Sequence, residues 1–252
     1  GVYAKLSDAT GGTASGENEG TDAVITIEKE GSAGMLGEVK ATVATGTATT
    51  LTLTNSGNIN VGDAGTGIFS AAGNVDLTGG TINVGTDQAA GVYVNGDNQT
   101  VTAGSGANMT IADNSFGIIS EKGTGSAGNK IISNIGSINN LGNDTVYIYS
   151  NDNRAGAQVT NNTNLTSTGS YNYGVYSAGE VVNNGNINFG SGYGNVGVYS
   201  TLGGTATNNA SITVGESYFD PISSLNNRYA IGMAAGYTAT AAEIAAGKVG
   251  YT

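Results

Sequence analysis

The sequence predicts an all-β chain wound as a parallel β-helix, a solenoid of about eight to nine coils of 22–35 residues, and three observations carry the prediction. One tetrapeptide recurs: Gly67-Ile68-Phe69-Ser70, Gly91-Val92-Tyr93-Val94, Gly117-Ile118-Ile119-Ser120, Gly174-Val175-Tyr176-Ser177 and Gly197-Val198-Tyr199-Ser200. Between these anchors runs a second motif, Asn-x-Gly-x-Ile-x-Val-Gly, whose Ile position reads Ile25, Ile59, Ile82, Met109, Ile138, Leu165, Ile187 and Ile212. Two residues on stand Ile27, Val61, Val84, Ile111, Asn140, Ser167, Phe189 and Val214, mostly apolar, and a period of two means a strand with one buried face. The third observation is unit length. A propeller blade needs four strands and about 40 residues, whereas these shorter units suit coils whose strands stack on their equivalents about 4.8 Å away.

The anchor is the first strand of each coil, with degenerate copies at Gly1-Val2-Tyr3-Ala4, Gly34-Met35-Leu36, Tyr147-Ile148-Tyr149-Ser150 and Gly232-Met233-Ala234. Its aliphatic residue shares a parity with Thr66, Ala90, Phe116, Val146, Tyr173, Val196 and Ile231, a mostly apolar set that is expected to face inward. The anchor glycine and aromatic then face outward. Phe69, Tyr93, Tyr149, Tyr176 and Tyr199 would form an exposed aromatic column able to stack on sugar rings or on a partner chain. The Ile-motif strand leads to the next anchor over an almost constant distance, which predicts two strands and a tight turn. The other arc varies in length and carries a third strand and loops, where recognition usually resides. Two stretches stand out as protruding loops: residues 9–23, with Glu17, Glu19 and Asp22, and residues 216–229, with Tyr218, Phe219, Asp220, Pro221 and Arg228. Asn55, Asn134, Asn161, Asn183 and Asn208 recur at one phase and predict a ladder of side-chain amides at a corner.

Composition narrows the chemistry. Gly, Thr and Asn number 43, 31 and 30 of 252 residues, while Ile, Val, Leu and Phe together number 50, so the scarce aliphatics must sit in fixed columns to build a core. There is no His and no Cys, which removes imidazole and thiolate catalysis and zinc sites built on them, and no cofactor is expected. Eight basic against 19 acidic residues give a net charge of −11 without a cationic stripe, so nucleic acid is not an expected partner. No 18-residue apolar run is present.

Asp63, Asp76, Asp87, Asp97 and Asp113 fall mainly in turns at differing phases and do not converge on one strand face, which argues against a carboxylate-based polysaccharide hydrolase or lyase. The two G-x-G-x-x-G spellings at 123–128 and 192–197 lack a following helical pattern, and the calcium-type stretch Gly142-Asn143-Asp144-Thr145 occurs once. Thr-x-Thr pairs (Thr50/Thr52, Thr100/Thr102, Thr238/Thr240) are too scattered for an ice-binding array.

The alternation of Gly-Val/Ile-Tyr-Ser with Asn-Asn-Gly-x-Ile-x-x-Gly, the Ile231-Gly232-Met233-Ala234-Ala235 variant and the Ala-rich ending resemble passenger domains of large fusobacterial type V autotransporter adhesins, over essentially the whole chain. The resemblance implies a right-handed parallel β-helix and residues 1–252 as one segment of a longer, extracellular passenger on the bacterial surface. Its outer-membrane association would come through a barrel absent from this chain. Implied partners are a host cell-surface glycan or protein receptor, or another bacterium. The expected function is non-catalytic attachment, carried by Tyr218, Phe219, Asp220 and Arg228 of the second loop and by Tyr93, Tyr149, Tyr176 and Tyr199 of the column. A polysaccharide-active β-helix and a purely structural stalk are the alternatives.

Overall fold

The computed structural model describes residues 1–6, 12–39, 49–201 and 203–236. The Ala-rich ending, the Thr238/Thr240 pair and residues 9–11 of the first expected loop lie outside the described residues.

The chain is a parallel β-helix with three faces. The first face is a nine-stranded sheet running from Val2–Leu6 to Ile231–Ala235, and the second is an eight-stranded sheet from Gly12–Asn18 to Ala206–Asn208. The third is divided into two four-stranded sheets, Val24–Ile27 to Asn108–Ile111 and Ser137–Asn139 to Ile212–Glu216. The chain visits the three faces in constant order, and, apart from one break on the third face, each strand pairs in parallel with its equivalent one coil on. Ile25, Ile59, Ile82 and Met109 stand in one register column, and Ile138, Leu165, Ile187 and Ile212 in another. With Met35, Ile68, Val92, Ile118, Ile148, Val175 and Val198 from the first face they form one continuous apolar core. Each such side chain contributes about 1.5–3 kcal/mol when fully buried, so a minority of aliphatics in stacked columns suffices.

The anchor glycine faces inward, which corrects the expected phase. A Cβ on Gly34, Gly67, Gly91, Gly174 or Gly197 would stand 2.5–2.8 Å from the carbonyl oxygen of the next coil's anchor glycine. It would also approach third-face side chains such as Ile25, Val61, Met109 and Ile187. The chain turns the corner between third and first faces at this glycine, so glycine and aliphatic both look in and simple alternation fails for one step. Phe116 and Tyr173 are thereby placed outside, edge-to-face against Tyr149 and Tyr176 at 6.1 and 6.0 Å, and not with the inward aliphatics. At Tyr147 the column carries a ring in place of glycine. Its side chain is fully buried, and its phenol hydrogen-bonds Ser133 Oγ.

Two further expectations are corrected. Gly12–Asn18 is a strand, not part of a loop: it pairs residue for residue with Thr49–Asn55 as the opening strand of the second face. Its glycine misleads, because Gly16 occupies a core position where a Cβ would meet Val2 at 2.8 Å and Leu53 at 3.0 Å. Asn134 does not belong to the inner amide column; that register position is Ser133.

On the third face, ladder pairing stops between Asn108–Ile111 and Ser137–Asn139. The coil stays tethered on either side, where Asn134 N donates to Ala103 O (2.6 Å) and Gly142 N to Ile111 O (3.0 Å). Between those points Asn140 adopts φ 66° and Leu141, one residue late, supplies the buried side chain. That local slip opens the ladder.

Candidate functional site

The first-face outer column places every aromatic anchor on one strip. In register order it reads Tyr3, Leu36, Phe69, Tyr93, Ile119, Tyr149, Tyr176, Tyr199 and Ala234. Rings on adjacent coils stack nearly parallel: Phe69 on Tyr93 at 5.4 Å, Tyr149 on Tyr176 at 5.2 Å and Tyr176 on Tyr199 at 5.3 Å. The strip is therefore outward-facing, as expected for Tyr93, Tyr149, Tyr176 and Tyr199, yet each ring is half-buried by its neighbours. Stacking along the axis uses the ring faces and leaves edges and phenol hydroxyls toward solvent. Partial burial first, and then the negative charge of Glu121, hold the phenols of Tyr93 and Tyr149 above their ordinary pKa, so they remain donors well into alkaline pH.

Beside the column runs a second outer row, Ala33, Thr66, Ala90, Phe116, Val146 and Tyr173. Where it carries rings, they pack on the tyrosines. Where it is small, a groove of about 530 Å³ lies against Leu36, Phe69 and Tyr93, with Asn95 at its rim.

The expected loop lies between the strands Ile212–Glu216 and Ile231–Ala235 and is internally ordered. Tyr218 and Arg228 form an antiparallel bridge, N to O at 2.8 Å and 2.9 Å. Asp220 is committed to the loop itself. Its carboxylate accepts from Asn226 Nδ2 (2.8 Å) and from the amides of Ile222 (2.7 Å) and Ser223 (3.1 Å), and these bonds hold its pKa below the usual value. With those lone pairs occupied, Asp220 shapes the turn. Phe219 packs edge-to-face on Tyr229 at 5.9 Å, and Tyr218 on Tyr171 at 6.2 Å. A Cβ on Gly194 would meet Arg228 Cβ at 2.6 Å and the Tyr171 ring at 3.0 Å, so the loop docks against the corner that leads into the last anchor tyrosines.

Sequence reasoning missed Tyr171, Tyr193 and Tyr229, and Ile222, which is 94% exposed. The signal was available for the first two: both lie just ahead of an anchor glycine, at the corner where the loop docks.

Several charged groups elsewhere hold coils together. Asp152 is fully buried and receives Arg154 Nε (2.8 Å) and Nη2 (2.7 Å) in a fork, with the amide of Asn129 at 2.8 Å. Burial pushes its carboxyl up, but the Arg154 side chain and the backbone amides outweigh it and the pKa lies below the usual value. Arg154 also pairs with Asp97 two coils back. Asp63, Asp97 and Asp113 accept the amides of Thr86, Gly125 and Asn143 in the following coil. Among the described residues no three acidic side chains group to hold a metal ion. No family model matches the chain, and neither a curated protein nor a solved structure matches it.

Proposed function

We propose that this chain is a rod segment of a bacterial surface adhesin, of the autotransporter passenger type that its motifs resemble, and that it mediates or extends attachment without catalysis. The single observation behind this reading is the outward run of stacked rings at Tyr149, Tyr176 and Tyr199 beside the ordered loop at 217–230, both carried on one stacked scaffold. In and beside the loop Tyr193, Tyr218, Phe219, Ile222 and Tyr229 are exposed, and grouped exposed apolar side chains mark contact with something else. In this reading the partner is a protein receptor or glycan on a host cell or a neighbouring bacterium, and the protein works outside the cell, at the bacterial surface.

Beads coated with the segment test it. They are expected to adhere to host cells or partner bacteria, and adhesion is expected to fall when Tyr149, Tyr176 and Tyr199 are replaced together by Ser, or when residues 217–229 are replaced by a short Gly/Ser link. Parent-coated beads that fail to adhere would leave only the stalk role, and folded variants that adhere as well as the parent would remove the strip and the loop from attachment. Release of reducing ends from a polysaccharide by the purified segment would overturn the non-catalytic reading.

A further inference from the structure

The outer surface of the first face supplies its own demonstration of what fits beside the aromatic column. In the later coils the flanking row presents Phe116 and Tyr173, and each ring packs edge-to-face against a column tyrosine, at interplanar angles of 71° and 73°. In the earlier coils the same row presents Ala33 and Thr66, while the column presents the stacked pair Phe69 and Tyr93. The space that a ring fills later is thus vacant earlier, and it is the groove of about 530 Å³ described above, within the range of ordinary ligand pockets. Its lining includes no charged side chain, and the Asn95 side-chain amide at its rim makes no hydrogen bond among the described residues.

We propose that this groove is a receptor site for an uncharged aromatic side chain presented by a partner protein. That side chain would take the edge-to-face place against Phe69 and Tyr93 that Phe116 and Tyr173 take against Tyr149 and Tyr176, and Asn95 would bond the partner's backbone or its phenol or indole donor. The proposal rests on the reading of the rod as a binding segment and names the chemistry of one contact. A pyranose could use the polar side chains of Ser32, Thr66, Tyr93 and Asn95 that line the groove, but an aromatic ring is the occupant whose packing the protein itself displays beside this column, at Phe116 and Tyr173.

The test uses the segment with ¹³C-labelled Phe and Tyr, titrated with N-acetyl-tryptophanamide, N-acetyl-tyrosinamide and, separately, a neutral methyl glycoside. The aromatic amides are expected to shift the Phe69 and Tyr93 ring resonances in a saturable way. Thr66→Phe is expected to fill the groove from within and abolish those shifts while keeping or raising the melting temperature. Should Thr66→Phe fail to fold, Phe69→Leu decides, with about tenfold weaker binding expected from loss of the ring contact. Absent shifts, shifts unchanged in the variant, or a glycoside that binds the same resonances more tightly would each overturn the proposal. Bead adhesion separates the two readings: adhesion unaffected by Thr66→Phe leaves attachment standing and removes the groove from it, whereas amide binding without adhesion does the reverse.

Discussion

A methyl group has no room at Gly67: an added Cβ would sit 2.5 Å from the carbonyl oxygen of Gly91 in the next coil and 3.2 Å from Val61. Neither neighbour can yield, because both belong to stacked strands. Gly67→Ala is therefore expected to destabilise by about 1–3 kcal/mol, the range for overpacking a core. Gly136→Ala, where nothing lies within 4 Å, is expected to stay within about 0.5 kcal/mol of the parent. Urea denaturation of the two variants gives the comparison. Asp152 offers a second residue-scale expectation, with a pH signature. Its folded pKa is depressed, so the stability it contributes is present above the unfolded value of about 3.9 and is lost as pH falls through the lower folded value. Asp152→Asn breaks a buried fork and is expected to cost about 3 kcal/mol at neutral pH. Melting curves of the pair should differ by a constant amount down to about pH 5, begin to converge near about pH 4 and meet only below the depressed folded value.

The strand corners show how ladders of side chains finish what the backbone ladders begin. In the inner amide column Asn161 Nδ2 donates to Asn183 Oδ1 and Asn183 Nδ2 to Asn208 Oδ1, both at 2.7 Å, while each Nδ2 also donates to the carbonyl two residues on. One residue later a second ladder runs outside through Asn134, Asn162, Asn184 and Asn209, at 2.7–2.8 Å. Asn183 is fully buried and Asn184 is exposed, so identical chemistry predicts unequal cost. Asn183→Ala strands the buried Asn161 on one side and the half-buried Asn208 on the other and is expected to cost about 1–3 kcal/mol, against less than about 0.5 kcal/mol for Asn184→Ala. Chemical denaturation of the two single variants reads the difference directly.

The column of amides was legible in the sequence because a repeat keeps phase; that there are two ladders was not, since adjacent Asn-Asn pairs differ only in which way they point. The same limit explains the aromatic row. Val175, Tyr176 and their equivalents announced an inward and an outward column, but the corner at the glycine inserts one step of broken alternation, and Phe116 and Tyr173 were assigned to the wrong side. The strand Gly12–Asn18 was hidden for a different reason: Gly16 fills a core position by leaving space for Val2 and Leu53, and a residue that acts through absence carries no periodic signal. Of the candidate site, the tyrosine column and the loop could be placed from the repeat. The groove could not, because it depends on residues in two rows being small and large at the same height.

At the scale of the whole molecule, strand pairing joins each coil only to its neighbours, with Arg154 reaching Asp97 two coils back, so stability is close to a sum of coils and the contacts between successive ones. A solenoid of this kind should tolerate loss of a coil provided every column rejoins in phase. Excision of residues 175–197 joins Gly174 to Val198 and brings Val198 over Ile148, Asn208 over Asn161 and Ile212 over Leu165, keeping first-face, amide and third-face columns continuous. The shortened rod is expected to retain its β circular dichroism and to unfold with a denaturant dependence about one tenth smaller, in proportion to the surface a coil buries. Excision of residues 175–198 removes one residue more and joins Gly174 to Tyr199. That places a tyrosine in the inward position held by the aliphatic anchor and Ser200 outside, and a single-residue slip moves every later side chain on the strand to the opposite face. This second variant is expected to lose cooperative unfolding. If both shortened chains fold equally well, phase along the columns is not what specifies the rod; if only the first does, then the repeat read from the sequence is also the unit in which the molecule is stabilised.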